Sequence, residues 1–223
     1  FFLDILRSVA YGVIEGITEW LPISSTGHMI LAEQVLKFSF STEFMEMFRV
    51  VIQLGAILAV VVLYFKKLWP FCADNGRDSG FSRHFRWPVV RLWCKIIVAC
   101  VPAAVLGLLL DDWLDAHLYN SITVALMLII YGIAFIMIER RPRVPTTTKL
   151  SRITYKQALI VGAWQVLALI PGTSRSGSTI IGGLLCGMSR PAASQFTFFL
   201  AIPVMAGASG LKLVKFLAKG GVF

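Results

Sequence analysis

Polar and ionisable side chains are concentrated in one short stretch near the start of an otherwise apolar chain. Residues 15–28 read EGITEWLPISSTGH. A charged side chain at membrane depth costs roughly 2.5–3.5 kcal/mol on insertion scales, so such a stretch predicts a functional site. Glu15 and Glu19 lie four residues apart, which places both carboxylates on one face of a helix. Two carboxylates so placed can hold a divalent cation, or share a proton with one of them serving as base.

Hydroxyl groups and an imidazole follow these carboxylates. Ser24, Ser25 and Thr26 could cap a helix, but capping needs only one of them. His28 lies about one helical turn beyond Ser25 and can take its proton or attack phosphorus itself. We expect Ser25 to be the nucleophile and His28 its base, while the reverse assignment stays open.

The polar pattern recurs 150 residues later, where residues 171–179 read PGTSRSGST. The residues that match at this spacing are Ser24 and Ser174, Thr26 and Ser176, and Gly27 and Gly177. Arg175 stands where the first copy has Ser25, and Gln165 where it has Glu15. A guanidinium is a planar fork of donors that matches phosphate oxygens. Pairing of Arg175 with Glu15 or Glu19 is the structural alternative, and such a pair could open for a substrate.

Composition places this chemistry in a membrane. Hydrophobic residues make up 57% of the chain and charged residues only 15%, whereas about a quarter of residues are charged in an average soluble domain. Apolar spans are predicted at residues 45–65, 88–110, 121–138 and 194–214. The basic residues fall in the loops at 66–95 and 140–156, which predicts that both loops are cytoplasmic and that an acidic loop at Asp111–Asp115 is external. This distribution encodes topology, so we expect no nucleic-acid partner.

Neither motif lies in an uninterrupted apolar run of about 20 residues. We predict a helix to about Leu21, a break, and a helix over Ser25–Leu36. A second broken hairpin is predicted at 158–188, around Pro171 and Gly172. Three spans separate the hairpins, so they enter from opposite faces. The predicted fold is an all-α polytopic membrane protein with inverted-topology repeats, each containing a re-entrant broken-helix hairpin.

One integral-membrane domain is expected over residues 1–223. Its parts are repeat 1 at about 3–110, a connecting span at 120–138, and repeat 2 at about 154–223, which we expect to be truncated at its C-terminus.

The two motifs, together with EMFRVVIQLGAILAVV at 46–61, resemble the undecaprenyl-pyrophosphate phosphatase family associated with bacitracin resistance. The resemblance covers essentially all 223 residues. It implies removal of the terminal phosphate of undecaprenyl pyrophosphate in the bacterial inner membrane, which yields the carrier lipid of cell-wall synthesis. It also implies metal or proton handling by Glu15 and Glu19, a nucleophile or base at Ser25 and His28, and pyrophosphate binding by Arg175 and its flanking serines. Family members usually continue for roughly two more spans.

These observations define the expected site. The expected catalytic residues are Glu15, Glu19, Ser25, His28 and Arg175. The expected pyrophosphate-binding residues are Ser24, Thr26, Ser174, Arg175, Ser176 and Gly177. Mg²⁺ or Ca²⁺ is the expected cofactor, bound by the two glutamates. The expected partners are a polyprenyl pyrophosphate and the bilayer, with a homodimer left open, and the site should open to the outer face. A transporter or flippase is the rival class, because alternating access uses similar repeats.

Overall fold

The computed structural model describes residues 2–73, 84–140, 144–218 and 220. Within these residues the chain forms eight α-helices. They are α1 (Phe2–Thr18), α2 (Ser25–Leu36), α3 (Thr42–Leu68), α4 (Trp87–Leu118), α5 (Ser121–Glu139), α6 (Tyr155–Gln165), α7 (Arg175–Leu185) and α8 (Arg190–Ala218). Short 3-10 turns at Leu150–Arg152 and Val166–Leu169 precede and follow α6. The all-α prediction is therefore confirmed.

Four helices are long and apolar enough to cross a membrane: α3, α4 as far as Leu110, α5 and α8. They contain all four predicted spans and extend beyond them. Caps set two of their starts, because Ser41 Oγ accepts a hydrogen bond from Phe44 N at 3.2 Å and Asn120 Oδ1 accepts one from Thr123 N at 2.9 Å. Only Val124 and Tyr131 of α5 are buried, so most of this helix presents apolar side chains outwards.

Two sequence predictions about helix ends are wrong. The predicted acidic loop at Asp111–Asp115 is helical, because α4 continues to Leu118 and leaves only Tyr119 and Asn120 before α5. The first helix ends at Thr18 rather than Leu21. Pro22 disfavours helical backbone at the residue before it, and Thr18 Oγ1 donates to Ile14 O at 2.7 Å within the last turn.

The two broken hairpins are present. In the first, residues 19–24 separate α1 from α2, which begins at Ser25 as predicted. In the second, the 3-10 turn and residues 170–174 separate α6 from α7. Each second helix is capped by the serine of its motif: Ser24 Oγ accepts from Gly27 N at 3.2 Å, and Ser174 Oγ accepts from Gly177 N at 3.0 Å. The inverted relation of the two halves and the repeat boundaries stay predictions.

The second hairpin is held in the centre of the helix packing. Among the described elements α3 packs most extensively on α8, and α4 on α6. A Cβ atom at Gly162 of α6 would lie 2.3 Å from Ala99 O of α4, so these helices meet backbone to backbone. Every residue of α7 from Ser176 to Gly183 is buried. The start of α7, which carries the second motif, is therefore fixed by its neighbours.

Candidate active site

An ion pair joins the two motifs across the chain. Arg175 at the start of α7 donates from Nη2 to Glu19 Oε1, although the residues are 156 positions apart. The side chains are only 15% and 11% exposed. This is the pairing that the sequence offered as the structural alternative for Arg175. It brings the guanidinium beside the hydroxyl groups of the first motif.

Glu19 also accepts a hydrogen bond from Ser25, whose Oγ lies 2.5 Å from Glu19 Oε2. His28 Nδ1 lies 2.8 Å from Ser24 O. Because a carbonyl oxygen only accepts, Nδ1 carries the imidazole proton and Nε2 keeps a lone pair. Within the described residues no hydrogen bond joins Ser25 to His28, so the base next to Ser25 is the Glu19 carboxylate. The catalytic roles predicted for Ser25 and His28 stay predictions.

A cavity of about 620 Å³ extends from this group. Seven of the predicted site residues line it: Glu19, Ser24, Ser25, Thr26, Ser174, Arg175 and Ser176. The predicted site residues Glu15, His28 and Gly177 lie outside that lining. Ala103 and Leu108 of α4 and Val204 and Leu211 of α8 contribute to its apolar walls. A cavity with a polar end and apolar walls suits an amphiphilic ligand.

The electrostatics of the polar end favour an anion. The first turns of α2 and α7 both line it, and helix N-termini carry partial positive charge together with backbone N–H groups that lack intrahelical acceptors. Glu19 is offset by Arg175, and Arg49 of α3 lines the same cavity. Phosphate oxygens would meet donors here rather than carboxylates alone.

Buried polar atoms without partners cluster in the same place. In the described part of the chain they are Glu15 Oε1, Gln165 Oε1 and Nε2, Thr173 Oγ1 and Arg175 Nη1. A buried polar group without a hydrogen bond costs about 1–3 kcal/mol, so such groups are rare in folded proteins. Their concentration beside Arg175 indicates a site that binds a polar ligand.

Comparison with known proteins identifies the family of this chain. The family model described as Bacitracin resistance protein BacA matches residues 8–222. The chain belongs to the BacA family. Curated relatives named undecaprenyl-diphosphatase include proteins from Enterococcus faecalis V583, 59% identical over 100% of this chain and 79% of the relative, and Streptococcus sanguinis SK36, 56% identical over 99% and 77%. A third, from Lactococcus lactis subsp. lactis, is 54% identical over 98% and 78%.

Within this BacA-family chain, two glutamines of the site were missed by the sequence analysis. Gln165 lines the cavity and is buried, and its match to Glu15 at the 150-residue spacing could have identified it. Gln53 lies in the middle of an apolar span and donates from Nε2 to Thr26 Oγ1 at 3.0 Å. A buried amide in a membrane helix needs a partner, which was the available signal.

Proposed function

We propose that this chain is an integral-membrane undecaprenyl-diphosphatase that releases the terminal phosphate of undecaprenyl diphosphate and leaves the lipid monophosphate. The observation that carries the proposal is Arg175, whose buried Nη1 has no partner among the described residues and which lines an apolar-walled cavity together with Ser25. Guanidinium and phosphate form paired, parallel hydrogen bonds. The apolar walls suit a prenyl chain attached to that phosphate.

The Glu19–Arg175 pair gives this site a way to couple binding to catalysis. When a terminal phosphate accepts from both terminal amino groups of Arg175, the guanidinium no longer occupies Glu19, whose Oε2 still accepts from the Ser25 hydroxyl. Glu19 then takes the proton of Ser25, and Ser25 Oγ attacks the terminal phosphorus. The bond from phosphorus to the bridging oxygen breaks, and the electron pair stays with the lipid phosphate. Water hydrolyses the phosphoserine and restores the hydroxyl.

A divalent cation, Mg²⁺ or Ca²⁺, is proposed at Glu15 and Glu19. The described residues include no group of three or more His, Cys, Asp or Glu side chains that could hold a metal by themselves. Mg²⁺ is commonly held by one or two carboxylates together with substrate phosphates. The unpartnered Oε1 of Glu15 fits such a ligand set. When bound, the ion would neutralise phosphate charge. The alternative is a proton shared by the two carboxyl groups.

The orientation proposed for the site rests on charge asymmetry. Basic residues flank the ends of α3 and α5 and the starts of α4 and α6, which supports a cytoplasmic position for those ends in a bacterial inner membrane and a site that opens outwards. A cysteine introduced at Asn120, with the native cysteines replaced, should react with an impermeant reagent added outside intact cells. Labelling only after the inner membrane is breached would reverse the orientation. A homodimer stays a prediction, to be tested by the mass of the purified complex.

Phosphate release by purified protein in detergent tests the function. With no membrane gradient, an enzyme releases inorganic phosphate from undecaprenyl diphosphate and a transporter or flippase does not. Arg190→Gln is a matched control, because Arg190 pairs with Glu139 at an exposed site outside the cavity. We expect this variant to release phosphate at the wild-type rate and Arg175→Ala to release almost none. Intact lipid diphosphate after prolonged incubation with folded wild-type protein would reject the proposal.

A further inference from the structure

A second arginine lines the cavity without contacting either motif. The Arg49 side chain is 12% exposed. Its Nε donates to Met45 O at 3.3 Å and lies 3.5 Å from Glu33 Oε1, and its Cζ lies 5.7 Å from the ring centroid of Tyr119. Within the described residues neither terminal amino group has a protein acceptor. The donors that recognise phosphate bidentately are therefore the part of Arg49 left for a ligand.

A relay of side chains from three helices holds Arg49 in place. Glu33 of α2 accepts a hydrogen bond from the hydroxyl of Tyr11 in α1. Tyr11 is fully buried, and its ring lies 5.4 Å from that of Phe38 and 5.8 Å from that of Phe48. A solvated arginine needs no such support. A buried tyrosine that fixes a glutamate, which in turn fixes a guanidinium, is typical of a preorganised binding group.

Arg49 lies on the open side of the motifs. Gln53, which contacts Thr26, is four residues further along α3, so Arg49 is displaced from it by about 6 Å along the helix axis. Ser209 Oγ of α8 donates to Val50 O at 3.0 Å, so the stretch of α8 that forms an apolar cavity wall lies at the level of Arg49.

The other side of the motifs is closed by packing. The Trp20 and Phe198 rings lie 5.4 Å apart, and both residues pack against the core cluster that contains Val60. Among the described residues, the cavity therefore offers a lipid diphosphate room for its chain on the side of Arg49. With its chain on that side, such a lipid would bring its terminal phosphate to Arg175 and the phosphate attached to the lipid nearer to Arg49.

We propose that Arg49 binds the phosphate that stays on the lipid, while Arg175 binds the phosphate that is removed; this assignment rests on the proposed function. When the bond between the terminal phosphorus and the bridging oxygen breaks, that oxygen keeps the electron pair and negative charge grows on the lipid phosphate. The terminal amino groups of Arg49 stabilise this charge. Arg49 thus contributes both to binding of the lipid monophosphate product and to its departure as a leaving group.

Inhibition by the two products shows which phosphate Arg49 binds. Inhibition constants for undecaprenyl monophosphate and for inorganic phosphate are measured with wild type, Arg49→Gln and Arg7→Gln. Arg7 pairs with Asp4 within α1 and does not line the cavity, so its variant controls for loss of one charge. Arg49→Gln should weaken inhibition by the lipid monophosphate about 10- to 100-fold, as expected for lost charged hydrogen bonds, and change inhibition by inorganic phosphate by less than about 2-fold. It should also lower kcat.

Two further variants test the relay. Tyr11→Phe keeps the ring packing but loses the hydrogen bond to Glu33, and it should weaken binding of the lipid monophosphate in the same direction as Arg49→Gln, by less. Arg49→Lys keeps the charge but loses the bidentate guanidinium, so its inhibition constant for the lipid monophosphate should lie between those of wild type and Arg49→Gln. If Arg49→Gln does not fold, the Arg49→Lys variant provides the test.

Three results would distinguish the outcomes. Unchanged inhibition by the lipid monophosphate in folded Arg49 variants overturns the proposal. Weaker inhibition by inorganic phosphate alone also overturns it and assigns Arg49 to release of that product. Calorimetric titration of wild type and variants with the lipid monophosphate needs no turnover. Wild type that binds the monophosphate through Arg49 but releases no phosphate from the diphosphate would therefore reject the proposed function and leave Arg49 as the lipid-phosphate ligand.

Discussion

Replacing Arg175 with lysine separates the two tasks of the guanidinium. Nη2 neutralises Glu19, and Nη1 is buried without a protein partner among the described residues. Lysine keeps a positive charge for Glu19, but its ammonium cannot present two parallel N–H bonds to a phosphate. Loss of two charge-assisted hydrogen bonds, each worth about 1.5–3 kcal/mol, removes about 3–6 kcal/mol of binding to the transferred phosphate. We therefore expect kcat/KM to fall about 100- to 20,000-fold in Arg175→Lys.

Stability should respond differently from activity. Removing one partner of a buried ion pair typically costs 3–5 kcal/mol, because the other charge remains uncompensated. Arg175→Ala leaves the largely buried Glu19 carboxylate without a compensating charge, so the Tm of this variant should fall. The Tm of Arg175→Lys should stay near that of wild type. Phosphate release in detergent gives kcat/KM, and thermal unfolding of the same samples gives Tm. Turnover of Arg175→Lys within tenfold of wild type would refute bidentate phosphate binding by the Arg175 guanidinium.

Three other perturbations test the site and its support. Ser25→Ala should abolish turnover and prevent trapping of a phosphoenzyme after a rapid quench; a phosphohistidine at His28, with substantial activity in Ser25→Ala, would exchange their roles. Glu15→Gln and Glu19→Gln should each weaken the apparent affinity for Mg²⁺ and lower turnover, and the double variant should be little less active than the worse single variant. Full wild-type activity after exhaustive chelation would exclude the cation and favour a proton shared by the two carboxyl groups. Gly162→Ala places a Cβ atom 2.3 Å from Ala99 O, so the contact between α4 and α6 must open and Tm should fall by several degrees; an unchanged Tm would show that the two helices can separate freely.

Much of the fold follows from signals that are local in sequence. Apolar runs predict the four spans, and the Ser-Ser-Thr-Gly run predicts the start of α2 at Ser25. The acidic residues at 111–115 were misassigned to a loop, because charge ends an apolar span without ending a helix. The structure continues α4 for two further turns beyond Leu110, up to Leu118.

The contacts between site residues are less predictable, because the turn between α1 and α2 determines which side chains meet. Helical spacing pairs Ser25 with His28, but the turn at residues 19–24 folds back and brings Glu19 to the Ser25 hydroxyl. This turn includes Ser24 at φ 66, a left-handed conformation that few residues other than glycine adopt. Spacing along one helix cannot reveal such a contact. Arg49 was not predicted as a site residue for a related reason, because the side chains that hold it, Tyr11 and Glu33, come from two other helices.

The repeated serine caps explain how one local design supplies two functions. Each cap places the next residue, the first of its helix, beside the cavity: Ser25 on α2 and Arg175 on α7. A capping hydroxyl accepts a hydrogen bond from the helix and still has its own proton to donate, so both caps can also bind phosphate oxygens.

Both capped helix starts also pack against α5. A Cβ atom at Gly27 would lie 3.4 Å from Val124 Cγ1 and 3.2 Å from Ser24 Oγ, and one at Gly177 would lie 2.9 Å from Phe135 Cε2 and 3.0 Å from Ser174 Cβ. Glycine at these two positions therefore lets each helix start close to α5 with its cap intact. With both starts held against one helix, the proposed function needs only the difference between Ser25 and Arg175 to put a nucleophile on one side of a bound phosphate and a guanidinium on the other.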